Sequence, residues 1–206
     1  MFGQPDALGS APYPGKSVFD LVAASLACAA LGPVMLGAAI ATAIEDGGAP
    51  LVFERRIGQG RKSFTAVRFR TRSGGCVTRV GRILERTGLS ELPLLINVAR
   101  REMSIVGPRP MSEASARNIL LRDERYAAKP GMVGLAQLLG SNNLRYGNRL
   151  DRLYLRRQNV SLDVWIVAAS LAAQVLWRPR ARRWLRRLGT LPDRLTWPED
   201  LGARLR

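Results

Sequence analysis

The chain has 206 residues, about one domain's worth, and carries 32 Lys plus Arg against 16 Asp plus Glu, a formal net charge of +16. Only Lys16, Lys62 and Lys129 are lysines, so the other 29 cations are arginines, and histidine is absent. That excludes histidine-based acid–base or nucleophile catalysis and His-ligated zinc; two cysteines, Cys28 and Cys76, exclude a disulfide framework. The arginine excess points to anionic partners: nucleic acid, phosphorylated substrates or acidic lipid.

Residues 1–15 are rich in Gly, Pro, Ala and Ser and read as a disordered lead-in. Leu21 to Ile44 comes next, with 24 consecutive uncharged residues. As a helix it would run about 36 Å, and a bilayer core is about 30 Å thick. Besides membrane insertion, two readings compete: a cleaved signal peptide, with Ala41-Thr42-Ala43 resembling the cleavage site, and a buried alanine-rich core helix. Pro33, following Gly32, removes a backbone hydrogen bond and favours a kink that turns the helix back to the face it entered. Arg55, Arg56, Arg61, Arg68 and Arg70 keep the downstream chain cytoplasmic. Lys16 casts a weak opposing vote, so charge alone does not separate spanning from re-entrant.

Leu51 to Ile57 and Phe64 to Arg70 read as short strands, with Gly58-Gln59-Gly60 turning between them. Those glycines lack the spacing of a phosphate loop. Arg68 and Arg70 share one strand face. Ser90 to Arg100 is expected to be a helix N-capped by Ser90, with Leu92, Leu95 and Ile96 on one side. Val106-Gly107-Pro108-Arg109-Pro110 cannot be helical, and its two prolines hold Arg109 extended and stiff. Met111 to Arg125, Gly147 to Arg157 and Leu162 to Trp177 read as further helices, the last suited to a membrane interface. Arg178 to Arg187 sets six arginines around Trp184 and Leu185, fit for an anionic lipid surface or for plain solvation.

One run carries more information than the rest: Leu89-Ser90-Glu91-Leu92-Pro93, then Asn97-Val98, then Met103-Ser104-Ile105-Val106-Gly107-Pro108-Arg109-Pro110. It resembles the signature L-D-E-L-P-Q-L-x-N-V … G-D-M-S-x-V-G-P-R-P of the bacterial sugar transferase family, the monotopic polyprenyl-phosphate phosphoglycosyl transferases. The likeness extends to Lys16-Ser17-Val18-Phe19-Asp20, Arg68-Phe69-Arg70-Thr71, Lys129-Pro130-Gly131 through Gln137, Leu150 to Tyr154, and Ser161-Leu162-Asp163, so it covers about Lys16 to Trp177.

The resemblance implies an α+β, mainly helical fold. Residues 16–46 would form a kinked re-entrant membrane helix. Residues 47–177 would form a cytoplasmic catalytic domain with a small β-hairpin and interfacial amphipathic helices, and 178–206 a polybasic tail. It also implies a reaction: a sugar 1-phosphate passes from a UDP-sugar to undecaprenyl phosphate at the cytoplasmic face of the bacterial inner membrane, with Mg²⁺, priming exopolysaccharide or glycoconjugate synthesis. In the family the Asp of the Asp-Glu pair attacks phosphorus. The positions that match are Ser90 and Glu91 for catalysis, Glu91 as Mg²⁺ ligand, and Arg68, Arg70 and Arg109 for phosphate binding. The partners implied are the UDP-sugar, polyprenyl phosphate and anionic lipid, without nucleic acid; homo-oligomerisation stays open.

Serine stands where the family has its nucleophilic aspartate, Leu94 replaces a Gln, and Arg101-Glu102 replaces Gly-Asp. A hydroxyl must lose a proton to attack, and the chain has no histidine to take it. Three readings remain: a working transferase that uses Ser90 or bypasses it, a degenerate homologue serving as a membrane binding or scaffold subunit, and a membrane-tethered nucleic-acid binder. No base-stacking motif favours the last.

Overall fold

The structure, a computed structural model, describes residues 12–113, 124–139 and 144–175. Most of the expected Met111–Arg125 helix and all of the 178–206 tail lie outside the described residues. The fold mixes helices and strands, as expected.

Helix α1 runs over Lys16–Asp46 with Pro33 inside it. Among the described residues it is the one helix long and apolar enough to cross a membrane. One stripe of it at helical spacing faces the domain: Ala24, Ala27, Cys28, Leu31, Met35, Ala38 and Ala39 pack in or on the first core cluster. The rest of its surface is apolar too, yet Val18, Val22, Leu26, Leu36, Ile40 and Ile44 are exposed. Both ends are fastened to the same domain. At the start, Lys16 Nζ lies 2.5 Å from Asp163 Oδ2. Asp20 accepts from the Ser104 hydroxyl (2.7 Å) and the Ile105 N–H (3.2 Å). At the finish, Arg70 bonds Asp46 at 2.5 Å, and Glu45 accepts from the N–H groups of Arg79 and Val80 at 2.6 and 2.9 Å.

The lead-in reading of residues 1–15 needs one amendment, because Tyr13 is already in place: its hydroxyl donates to Asp163 Oδ2 at 3.0 Å.

Strands β1 (Leu51–Ile57) and β2 (Ser63–Phe69) pair antiparallel from Leu51↔Phe69 to Ile57↔Ser63. They match the expected hairpin closely, and the turn between them holds one 3₁₀ turn over Gln59–Arg61. Short strands β3 (Arg72–Ser73) and β4 (Cys76–Val77) lead to α2 (Arg79–Thr87), whose N-cap Thr78 accepts from the Gly81 N–H at 2.9 Å. Gly88 ends α2 at φ +76, where a side chain would also run into Gln174.

Two expectations from the sequence are corrected by the structure. Ser90 caps nothing: Leu89–Glu91 is a 3₁₀ turn, and helix α3 spans only Leu94–Ala99. Pro93 sets that boundary, since it has no N–H to give and fits just before or at the first helical position. Met111 does not begin a helix either. Met111–Ser112 is strand β6, because Pro110 leads into an extended segment that pairs with the edge of β1 through Ile57↔Met111 and Arg56↔Ser112. Between α3 and the next strand, Arg101 takes φ +61, a conformation that favours glycine, at a point where the sequence departs from the family signature.

Strand β5 (Ser104–Val106) pairs parallel with β7 (Gly131–Val133). Here glycine is demanded by closeness: a side chain on Gly131 would strike the Gly107 backbone, and one on Gly107 the backbone of Lys129 and Gly131. Helices α4 (Leu135–Leu138), α5 (Leu144–Arg157) and α6 (Val160–Val175) close the fold over a second cluster that includes Val106, Leu135, Tyr154, Leu155 and Ile166.

Candidate active site

In the hairpin, Arg56 pairs across from Phe64 and Val52 from Arg68, so Arg56, Ala66 and Arg68 share one face of the β1–β2 ribbon. That face forms one wall of a cleft. The cleft is also lined by Glu91 and Leu94 from the turn and helix after α2, by Arg109 and Pro110, and by Gly131, Met132 and Gln137.

The backbone segments that carry Arg68 and Arg109 are held from outside the cleft. Asn97 is fully buried; its Oδ1 accepts from the Val67 N–H at 3.1 Å, and its Nδ2 donates to the Thr65 carbonyl and to Glu102, both at 2.7 Å. It therefore locks α3 to the stretch of β2 just before Arg68. Arg109 is set by pairing on both sides of its proline clamp. Before it, the Gly107 N–H donates to the Val133 carbonyl (3.0 Å) and the Gly131 N–H to the Pro108 carbonyl (2.8 Å). After it, β6 joins β1. The chain there cannot swing, while the Arg109 side chain is exposed.

The electrostatics are lopsided. Three guanidiniums and one carboxylate line the cleft. Arg68 Nη2 lies 3.1 Å from Glu91 Oε1, both partly exposed. Arg56 is bonded to Glu54. Burial works upward on the Glu54 carboxyl, but the hydrogen bond and charge of Arg56, with Arg68 behind it, outweigh that and hold it below the usual carboxylate range. No acidic partner faces Arg109 among the described residues, so it is the cation with the most charge to offer a ligand.

The expected site residues separate. Arg68, Glu91 and Arg109 come together. Arg70 does not join them: it turns to Asp46 at the end of α1, and its backbone N–H donates to the Pro50 carbonyl. Ser90 is buried, 4% exposed, is not among the residues lining the cleft, and its hydroxyl makes no hydrogen bond to any described residue. Arg56 and Gln137 were missed as site residues. Strand alternation alone put Arg56 on a face, but only the register with β2 says which face carries Arg68.

A resident Mg²⁺ fits these residues poorly. The ion needs near-octahedral oxygens, drawn from carboxylates and phosphates. The cleft supplies one carboxylate, already paired with Arg68, among three arginines, and no cluster of three acidic, Cys or His side chains exists among the described residues.

Residues 12–177 match the sequence profile described as Bacterial sugar transferase. The chain is 40% identical over 168 residues to a UDP-glucose:undecaprenyl-phosphate glucose-1-phosphate transferase of Caulobacter vibrioides, covering 72% of this chain and 61% of that protein. It is 32% identical over 200 residues to the exopolysaccharide production protein ExoY of Rhizobium meliloti, covering 79% and 86%. It is 32% identical over 191 residues to a UDP-galactose-lipid carrier transferase of Erwinia amylovora, of which it spans 38%. With a profile match over most of its length and a relative of which it spans nearly the whole, the chain belongs to the bacterial sugar transferase family.

Proposed function

We propose that this chain is an enzyme that transfers a sugar 1-phosphate from a UDP-sugar to undecaprenyl phosphate, the step that opens exopolysaccharide or related glycoconjugate synthesis. The observation that carries the reading is the cleft itself: Arg56, Arg68 and Arg109 converge around Glu91 on a domain strapped to an apolar helix. A diphosphate donor and a phosphate monoester acceptor bring several negative charges to one point. Arginine meets them with permanent charge and paired N–H donors. Arg109, stiffened by Pro108 and Pro110 and without an acidic partner among the described residues, takes the diphosphate. Arg68 stands beside Glu91, where the transferred phosphorus would sit. Relatives whose names specify UDP-glucose, UDP-galactose and undecaprenyl phosphate support the substrate class. Mg²⁺ enters as part of the substrate, carried on the diphosphate oxygens.

The same reading places the protein at the cytoplasmic face of the bacterial inner membrane, with α1 entering and leaving on one side. A helix hydrophobic all round belongs in a core or in lipid, and α1 gives only one stripe to the core. If it crossed the bilayer, either the Lys16–Asp163 pair or the Arg70–Asp46 pair would be torn apart. The exposed Val160, Val164 and Leu171 of α6 extend the apolar surface beside its first turn.

The test is UMP release by the purified chain in nanodiscs holding undecaprenyl phosphate, with Mg²⁺ and a panel of UDP-sugars. Release that depends on the lipid phosphate is expected. A folded, donor-binding protein that releases none with any donor would favour the binding-subunit reading instead.

A further inference from the structure

The nucleophile of this chain is an open question, because the position that carries an aspartate in the family signature is Ser90. Two neighbouring groups compete, and the structure treats them differently. Ser90 is buried, lies outside the cleft lining and has no hydrogen-bond partner among the described residues to accept its proton. Glu91 lines the cleft and is the one carboxylate among the described residues that does. Its Oε1 is held 3.1 Å from the Arg68 guanidinium, and its Oε2 has no partner among the described residues.

We propose that Glu91 is the covalent nucleophile. The assignment rests on the function proposed above. In the first step Glu91 Oε2 attacks the phosphorus that bears the sugar, forming an O–P bond. The bridging P–O bond breaks, and UMP departs with the bridging oxygen and its electron pair. In the second step an oxygen of the polyprenyl phosphate attacks the same phosphorus. The glutamyl O–P bond breaks, and the carboxylate returns as the polyprenyl diphosphate-linked sugar leaves. Nucleophile, acceptor and both leaving groups are oxyanions, so neither step needs a proton moved.

That economy suits this molecule. A serine route requires a base to remove the proton and yields a phosphate ester whose alkoxide is a poor leaving group. The chain has no histidine, and the Ser90 hydroxyl makes no hydrogen bond to a base among the described residues. A carboxylate needs none, and its acyl phosphate is reactive enough to be displaced by a second phosphate. Arg68 has a double use: it holds one oxygen of Glu91 while the other has no partner among the described residues, and it offsets the repulsion between carboxylate and diphosphate. The lone carboxylate of the cleft agrees, since a group that attacks phosphorus is not available as a dedicated metal ligand.

The experiment incubates the full chain in nanodiscs with Mg²⁺ and UDP-sugars, first without and then with undecaprenyl phosphate. After acid quench, intact mass and peptide mapping locate any sugar-phosphate adduct, and hydroxylamine is used to cleave acyl phosphates while sparing phosphoserine. Expected is a stoichiometric UMP burst without acceptor and a hydroxylamine-labile adduct on the Glu91 peptide, in wild type and in Ser90→Ala. Glu91→Gln should lose both. A hydroxylamine-stable adduct that disappears in Ser90→Ala overturns the assignment. So does UMP release that requires acceptor and leaves no adduct, which indicates a single direct displacement. No UMP from any donor even with acceptor sinks the transferase reading, and this assignment with it.

Discussion

The ammonium of Lys16 lies 2.5 Å from the carboxylate of Asp163, 147 residues away, with both side chains almost fully buried. Asp163 also accepts from the hydroxyls of Tyr13 (3.0 Å) and Tyr154 (2.7 Å). Burial, then the Asp163 charge, push both phenols well above their ordinary range, so both keep the protons they donate. Tyr154's oxygen sits 3.0 Å from the Val106 carbonyl, one residue before the Gly-Pro-Arg-Pro segment. The first turn of the apolar helix is thereby joined to the strand that leads into the Arg109 segment.

Asp163→Ala takes the ion-pair partner from a buried ammonium and should cost about 3–5 kcal/mol of stability. Lys16→Met should cost less, because the two tyrosines still serve the carboxylate. Thermal unfolding of the two variants in the same detergent checks the order, and equal losses would contradict this account of the cluster.

Cysteines placed at Pro14 and Ala49, both exposed at the two ends of α1, should be labelled from the cytoplasmic side only. The native Cys28 and Cys76 are replaced first. Labelling of the Pro14 position from the periplasm would show a spanning helix.

Asn97→Ala removes the partner of one backbone N–H and one backbone carbonyl on β2. Stability should fall by about 2–4 kcal/mol, the cost of unsatisfied buried groups. Turnover by the folded fraction should fall as well, since the residues next to Arg68 lose their brace. Stability loss with unchanged kcat/KM would separate the brace from the site.

Arg109→Ala and Arg70→Ala should part ways. The first removes the most available cation of the cleft and should lower kcat/KM for the UDP-sugar about 10- to 100-fold with little change in Tm. The second frees the end of α1 and should lower Tm while leaving the donor KM of the folded protein near wild type. Parallel Michaelis and melting curves read both.

Glu45 makes a pH prediction. Desolvation works upward on its carboxyl, but hydrogen bonds from Val80, Thr78 and Arg79 outweigh it and hold it below the ordinary 4.5. A lowered folded-state value means the stabilisation is complete above the ordinary carboxylate range and is lost as pH falls through the folded-state value. Wild type should therefore lose Tm below about pH 4.5 more steeply than Glu45→Gln, and superimposable profiles would refute the role.

Much of the chemistry was written in local sequence. The 24 uncharged residues of α1, the alternation of β2, and the proline clamp of Arg109 are all short-range patterns, because chain geometry over a few residues dictates them. The resemblance around Ser90–Pro110 supplied the family. What short-range pattern could not supply was partner choice. Arg68 and Arg70, two residues apart on one expected face, end on Glu91 and on Asp46 because the strand stops at Phe69 and the end of α1 lies alongside. Ser90, a good cap by type, caps nothing because Pro93 delays the helix.

The charge excess of +16 shows the same division. Composition determined a strongly cationic chain without histidine, since side-chain charge and pKa class are properties of the residues themselves. Which arginines share one cleft depended on how β1, β2 and the Pro-Arg-Pro segment converge. That convergence comes from strand register and from contacts across more than a hundred residues, such as Lys16 to Asp163, which packing alone brings together.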